Sequence, residues 1–185
     1  DSDSDSRKSS ISSTFHYSNG LVNQALSSGL TSGSVTIMTI NFPNMVDIFE
    51  IHSANDVNEA SKGLLTEVKN CIRSTNGQLV SIDCQKAVIA WNTFISQSDH
   101  RIRACKAAKN CMETVQKLCE QWKSDHLPAM NITIGIASGT AFFGNLGDST
   151  MKFFTVIGKP AIRSQTICDL NTTWNTQILC SDDIA

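Results

Sequence analysis

The stretch Asn131–Gly158, NITIGIASGTAFFGNLGDSTMKFFTVIG, limits the folds open to this chain more than any other part of it. Ile132, Ile134 and Ile136 alternate with Thr133, Gly135 and Ala137, the period-two pattern of a strand with one buried face. Gly139, Gly144 and Gly147 follow, residues suited to backbone torsions or close approaches that a Cβ forbids. A second run, Lys152–Ile157, is rich in aromatic and β-branched residues and stops at Gly158. Two strands therefore flank a glycine-punctuated loop, and the hairpin feeds a helix.

The rest of the chain supplies partners for that hairpin. Residues 1–33 begin DSDSDSRKSSISS and stay too poor in apolar side chains to offset the entropy of ordering, so they read as a flexible tail or linker, leaving a folded domain over 34–185. Within the tail, Arg7-Lys8-Ser9-Ser10 suits a basophilic kinase if it does more than solubilise. Ser34–Phe42 reads as a strand stopped by Pro43. Asp56–Thr75 places Val57, Ala60, Leu64, Val68, Cys71 and Ile72 at helical spacing, with Asn55 or Asp56 as cap and Asn76-Gly77 as stop. Leu79–Ile82 and Ala87–Trp91 form a hairpin turning near Cys84–Lys86. Asp99–Asp125 is the longest helix, with His100 expected as a solvated residue at its start. Pro160 suits the first turn of a helix over Ala161–Leu170, and Gln177–Cys180 is a last strand.

Composition excludes several classes of function. A length of 185 residues fits one domain, and a formal net charge of -2 lacks the basic face that nucleic acid requires. No run approaches the roughly 20 apolar residues of a membrane span, so no membrane contact by this segment is expected. Seven cysteines without CxxC or Cys/His ligand spacing suit reduced thiols in a cytosolic core better than disulfides or metal.

IGIASGTAFFGNLG followed at short range by FFTVIG resembles the catalytic domain of class III nucleotidyl cyclases, whose members read close to IGIHTGxxxxGNxG and then an aromatic residue before TVIG. The resemblance implies an α+β fold: a ferredoxin-like βαββαβ core with an αβ extension, its mixed sheet carrying helices mainly on one face. It also locates the site. The first metal-binding aspartate of such domains falls on Asn41 and the second on Gln85. The purine-contacting lysine falls on Ser81, the ribose-orienting asparagine on Ile162, and the arginine that stabilises the transferring phosphoryl group on Thr166. Thr155 matches the threonine that many cyclases use beside the purine. Relocated metal ligands, if any, would be Asp47 and Asp83, with Arg163 as a displaced arginine.

Hard divalent cations prefer anionic oxygen, and Asn41 and Gln85 retain oxygens without charge. Losing one preorganised charge stabiliser commonly costs about 100- to 1000-fold in rate. The reading is therefore a catalytically degenerate module that dimerises and regulates within cyclic-nucleotide signalling, needing no cofactor. It would pair with itself or with another cyclase domain, in the cytoplasm or as the intracellular part of a larger membrane-bound protein. The alternative is an active adenylyl or guanylyl cyclase using Mg2+ or Mn2+ on relocated ligands.

Overall fold

The computed structural model describes residues 29–45, 47, 50, 53–124, 130–148 and 150–184. The expectations for residues 1–28, including the kinase site at Ser9 and Ser10, lie outside the described residues. In chain order the elements are β1 (Gly29–Asn41), α1 (Ala54–Ser74), β2 (Gln78–Ile82), β3 (Lys86–Trp91), α2 (His100–Ser124), β4 (Thr133–Gly147), β5 (Lys152–Ile157), α3 (Lys159–Trp174) and β6 (Ile178–Cys180). The strands form one sheet in the order β2-β3-β1-β4-β5. These neighbours are antiparallel, and β6 alone pairs in parallel, along the first part of β4. The sheet is thus mixed, and β1 to β4 with α1 and α2 make the βαββαβ core that β5, α3 and β6 extend.

Local chemistry sets the boundaries. α1 begins two residues earlier than its apolar spacing suggests, because the Ser53 hydroxyl takes the cap and accepts from the Asp56 amide at 3.4 Å. Its buried residues Ala60, Leu64, Val68, Cys71 and Ile72 form one stripe. The helix stops where Asn76 turns left-handed at φ 56° and the Gly77 amide returns to the Ile72 carbonyl at 2.9 Å. α3 runs four residues past Leu170, held by Asn171, whose buried amide donates to the Ile134 carbonyl at 3.0 Å.

Two layers cover the sheet. Met38, Ile40, Ile89, Ile134 and Ile136 pack against Leu64, Val68 and Ile72 of α1 and Ala104, Ala107 and Val115 of α2. On the other face Val35, Ile37, Ala90, Phe143 and Val156 form a smaller cluster beside Ala161 of α3. α3 is seated by Gly135: a Cβ there would lie 2.2 Å from the Ser164 carbonyl oxygen and 2.3 Å from the Cys168 nitrogen.

Two expectations change. The glycine-punctuated loop is strand: β4 continues unbroken through Gly139 and Gly144, whose φ of 153° and 148° keep it paired with β1 as far as Gly29. The link to β5 is tied by Asp148 Oδ1 accepting from the Thr150 amide at 2.7 Å and the Met151 amide at 3.0 Å. β1 accordingly starts at Gly29 rather than Ser34. His100 is not solvated either; it is 7% exposed, with Nδ1 2.7 Å from the Thr36 hydroxyl. The hydroxyl of Ser138 donates to the Val35 carbonyl and that of Thr36 donates to Ser138, so Nδ1 carries the proton it gives to Thr36.

Candidate functional site

The last residue of β1, Asn41, pairs across the sheet with the first residue of β3, Lys86, and the Phe42 amide reaches the Gln85 carbonyl at 2.7 Å. Asn41 and Gln85 are therefore neighbours at one end of the sheet. The Asn41 amide is already committed: its Nδ2 donates to Asp169 Oδ1 at 2.9 Å, and its Oδ1 accepts from Gln165 Nε2 at 3.4 Å. Gln165 Nε2 also donates to Asp169 Oδ1 at 2.9 Å, and its Oε1 accepts from Lys86 Nζ at 3.4 Å. Asn41, Lys86, Gln165 and Asp169 thus form one polar network joining the sheet to α3.

The candidates for relocated chemistry are engaged elsewhere or stand in the open. Asp83 Oδ1 accepts from the Gln85 and Lys86 amides, both at 2.8 Å, and closes the β2–β3 turn. Those backbone bonds hold its carboxyl below the usual carboxylate range. Asp47 is exposed. Arg163 donates to Asp183 at 2.7 Å and to Asp182 at 3.0 Å, and these carboxylates raise its already high pKa. Ile162 and Thr166 share the outer face of α3 one turn apart; Ile162 is 72% exposed, and the Thr166 hydroxyl is turned back to the Ile162 carbonyl at 3.1 Å. Ser81 lies on β2 opposite Val88 and Thr155 on β5 opposite Gly144; the sheet curls so that these two end strands approach each other, with Val80 and Phe154 packed against the same cluster.

Around Thr155 the hairpin carries an apolar surface. Phe142 pairs with Ile157 and Leu146 with Phe153, on the face that Thr155 shares. Phe142 is 55%, Phe153 56% and Ile157 48% exposed.

No protein-family model matches the sequence, and no curated protein matches it. Solved structures do. The guanylyl cyclase Cya2 superposes with a TM-score of 0.76 at 18% identity, covering 85% of this chain and 79% of its own. The adenylyl cyclase CyaB from P. aeruginosa gives 0.75 at 15%, covering 84% and 80%. The dimeric guanylyl cyclase domain of the RhoGC fusion protein from Blastocladiella emersonii gives 0.63 at 22%, covering 78% and 76%. The chain has the class III nucleotidyl cyclase catalytic-domain fold.

The residues present do not fit the divalent metals this fold implies. Neutral amides stand at Asn41 and Gln85, both sides of the Asn41 amide are occupied, and the Lys86 ammonium stands next to Asn41 on the adjoining strand. Among the described residues, no group of three or more His, Cys, Asp or Glu side chains is arranged to hold a metal ion, and no helix is long and apolar enough to cross a membrane. Gln165 and Asp169 escaped sequence reading. Their only signal is spacing: four residues apart, they share a face of α3 that the sheet end meets.

Proposed function

We propose that this chain is a catalytically degenerate cyclase-homology domain that works by pairing, as a regulatory module in cyclic-nucleotide signalling. The observation that carries this reading is the network of Asn41, Gln165, Asp169 and Lys86. In an active domain, carboxylates at the ends of β1 and β3 would recruit two divalent cations for attack of the ribose hydroxyl on the α-phosphorus. Here the ammonium of Lys86 and the carboxylate of Asp169 offset each other through the two amides, so this network carries no net negative charge to attract a metal. On α3, Ile162 and Thr166 offer neither a side-chain amide nor a cation to the phosphate.

Pairing has separate support. The exposed Phe142, Phe153 and Ile157 give the hairpin an apolar surface around Thr155 of the kind that marks an interaction site. The partner is a second copy or another domain of the same fold; of the solved Blastocladiella emersonii domain, one structure is described as a non-canonical dimer and another as monomeric.

Calorimetric titration with ATP and GTP analogues, in magnesium and then manganese, tests the lost chemistry; the expected result is no binding in either metal. Metal-dependent binding would overturn the degenerate reading. Sedimentation of the chain alone and mixed with candidate cyclase domains tests pairing, and a chain that stays monomeric at high concentration and ignores every candidate removes it.

A further inference from the structure

Cys71 on α1 and Cys111 on α2 meet across the seam between the two helices, their thiols hydrogen-bonded to each other. The helices run antiparallel there. Two turns before Cys71, Gly63 faces Leu118, where a Cβ on the glycine would make ordinary van der Waals contact with the leucine Cδ1 at 3.6 Å, so the seam is packed along this length. Beside the pair opens a groove of about 240 Å³, lined by Glu67, Cys71, Ser74, Glu113, Thr114 and Lys117 among others.

The two sulfurs are not equivalent. Cys71 lines the groove and keeps 6% of its surface exposed, whereas Cys111 keeps 1%. Cys111 and Thr114 both donate to the Cys71 sulfur, and their hydrogen bonds outweigh burial to hold its pKa at about 7. The same bond, together with burial, pushes the Cys111 thiol up. Cys71, the more accessible and hydrogen-bonded sulfur, is thus the better placed nucleophile, and Cys111 is its shielded neighbour.

We propose that Cys71 and Cys111 are a peroxide-responsive dithiol, with Cys71 the nucleophile reached through the groove and Cys111 the resolving thiol. The Cys71 thiolate attacks one oxygen of a hydroperoxide, the O–O bond breaks, and hydroxide leaves to be protonated as water. The sulfenic acid so formed is attacked by the Cys111 sulfur; the S–O bond breaks, the Cys111 proton goes out with the hydroxyl as a second water, and an S–S bond ties α1 to α2. The sum is two thiols and one hydrogen peroxide giving one disulfide and two waters. A small oxidant suits the site, because Cys71 is only 6% exposed at the groove and a bulky disulfide would not reach its sulfur.

The test exposes the reduced, folded chain to hydrogen peroxide, blocks remaining thiols, digests it and reads the peptides by mass spectrometry. The expected product is a Cys71–Cys111 crosslink lighter by two hydrogens, formed within one chain. In Cys111→Ser the sulfenic acid persists and a dimedone probe labels Cys71. In the otherwise wild-type chain Thr114→Val removes one donor to the Cys71 sulfur, moves the pH profile of its oxidation upward and slows the reaction several-fold at neutral pH. The wild-type arm needs no substitution, so a misfolded variant leaves the question answerable. Oxidation confined to the exposed Cys84 and Cys180, or a Cys71 that reacts only after urea unfolds the chain, would overturn the proposal.

Discussion

His100 carries a pH dependence into the core. Burial is the main cause that lowers its pKa below the ordinary 6.5, with nearby Arg101 adding to it. The unfolded chain therefore takes up the proton first as pH falls. Stability is full above the ordinary histidine pKa, and declines as pH drops through it toward the lower folded value. Urea unfolding of the wild type between pH 8 and 5 is expected to show that slope, and His100→Gln to flatten it. An equal slope in both proteins would put the titration elsewhere. Gly135 yields a second expectation at this scale. Because a Cβ there meets backbone atoms of α3 at 2.2 and 2.3 Å, Gly135→Ala must push the helix off the sheet. Overpacking of this kind costs about 3 kcal/mol, and a thermal melt with the midpoint unchanged would show that α3 is not held by this contact.

Elements were legible where one rule acted alone. Lys152–Ile157 is the strand its β-branched and aromatic run predicts, residue for residue, because an edge strand answers to local propensity and one neighbour. β4 was misread as strand plus loop because glycine signals a turn in isolation, whereas here the long partner β1 holds Gly139 and Gly144 extended. His100 was misread because its partner, Thr36, lies 64 residues away. The longer β4 matters for pairing, since it carries Phe142 out beside Ile157. Both side chains are about half exposed, so an interface can still bury roughly half of each, worth about 1 kcal/mol apiece. Phe142→Ser combined with Ile157→Ser should therefore weaken association about thirtyfold while leaving the circular dichroism spectrum intact. Unchanged sedimentation in the double variant would move the interface to another surface.

At the scale of the whole molecule, fold and site separate. The elements were legible because alternation and helical stripes act locally, whereas their arrangement into one sheet was legible only through the resemblance that the hairpin sequence carries. The site was legible only as a set of absences, since Gln165 and Asp169 reach Asn41 across 124 and 128 residues. That network makes a prediction which absences alone do not. Asn41→Asp by itself replaces a donating amide with a second carboxylate facing Asp169 at a separation of 2.9 Å, so it should destabilise the domain instead of restoring it. Restoration needs the ammonium removed and the second carboxylate supplied: Asn41→Asp with Gln85→Asp and Lys86→Gly concentrates negative charge at the sheet end and should bind manganese where the wild type does not. Turnover should still be absent, because Ile162 and Thr166 leave the phosphoryl charge unstabilised, a deficit of about 100- to 1000-fold for each lost group. Calorimetry with manganese and a cyclase assay on the triple variant separate the two statements. A folded triple variant that ignores manganese would mean that the sheet end beside Asn41 is not where this fold's metals would have been held.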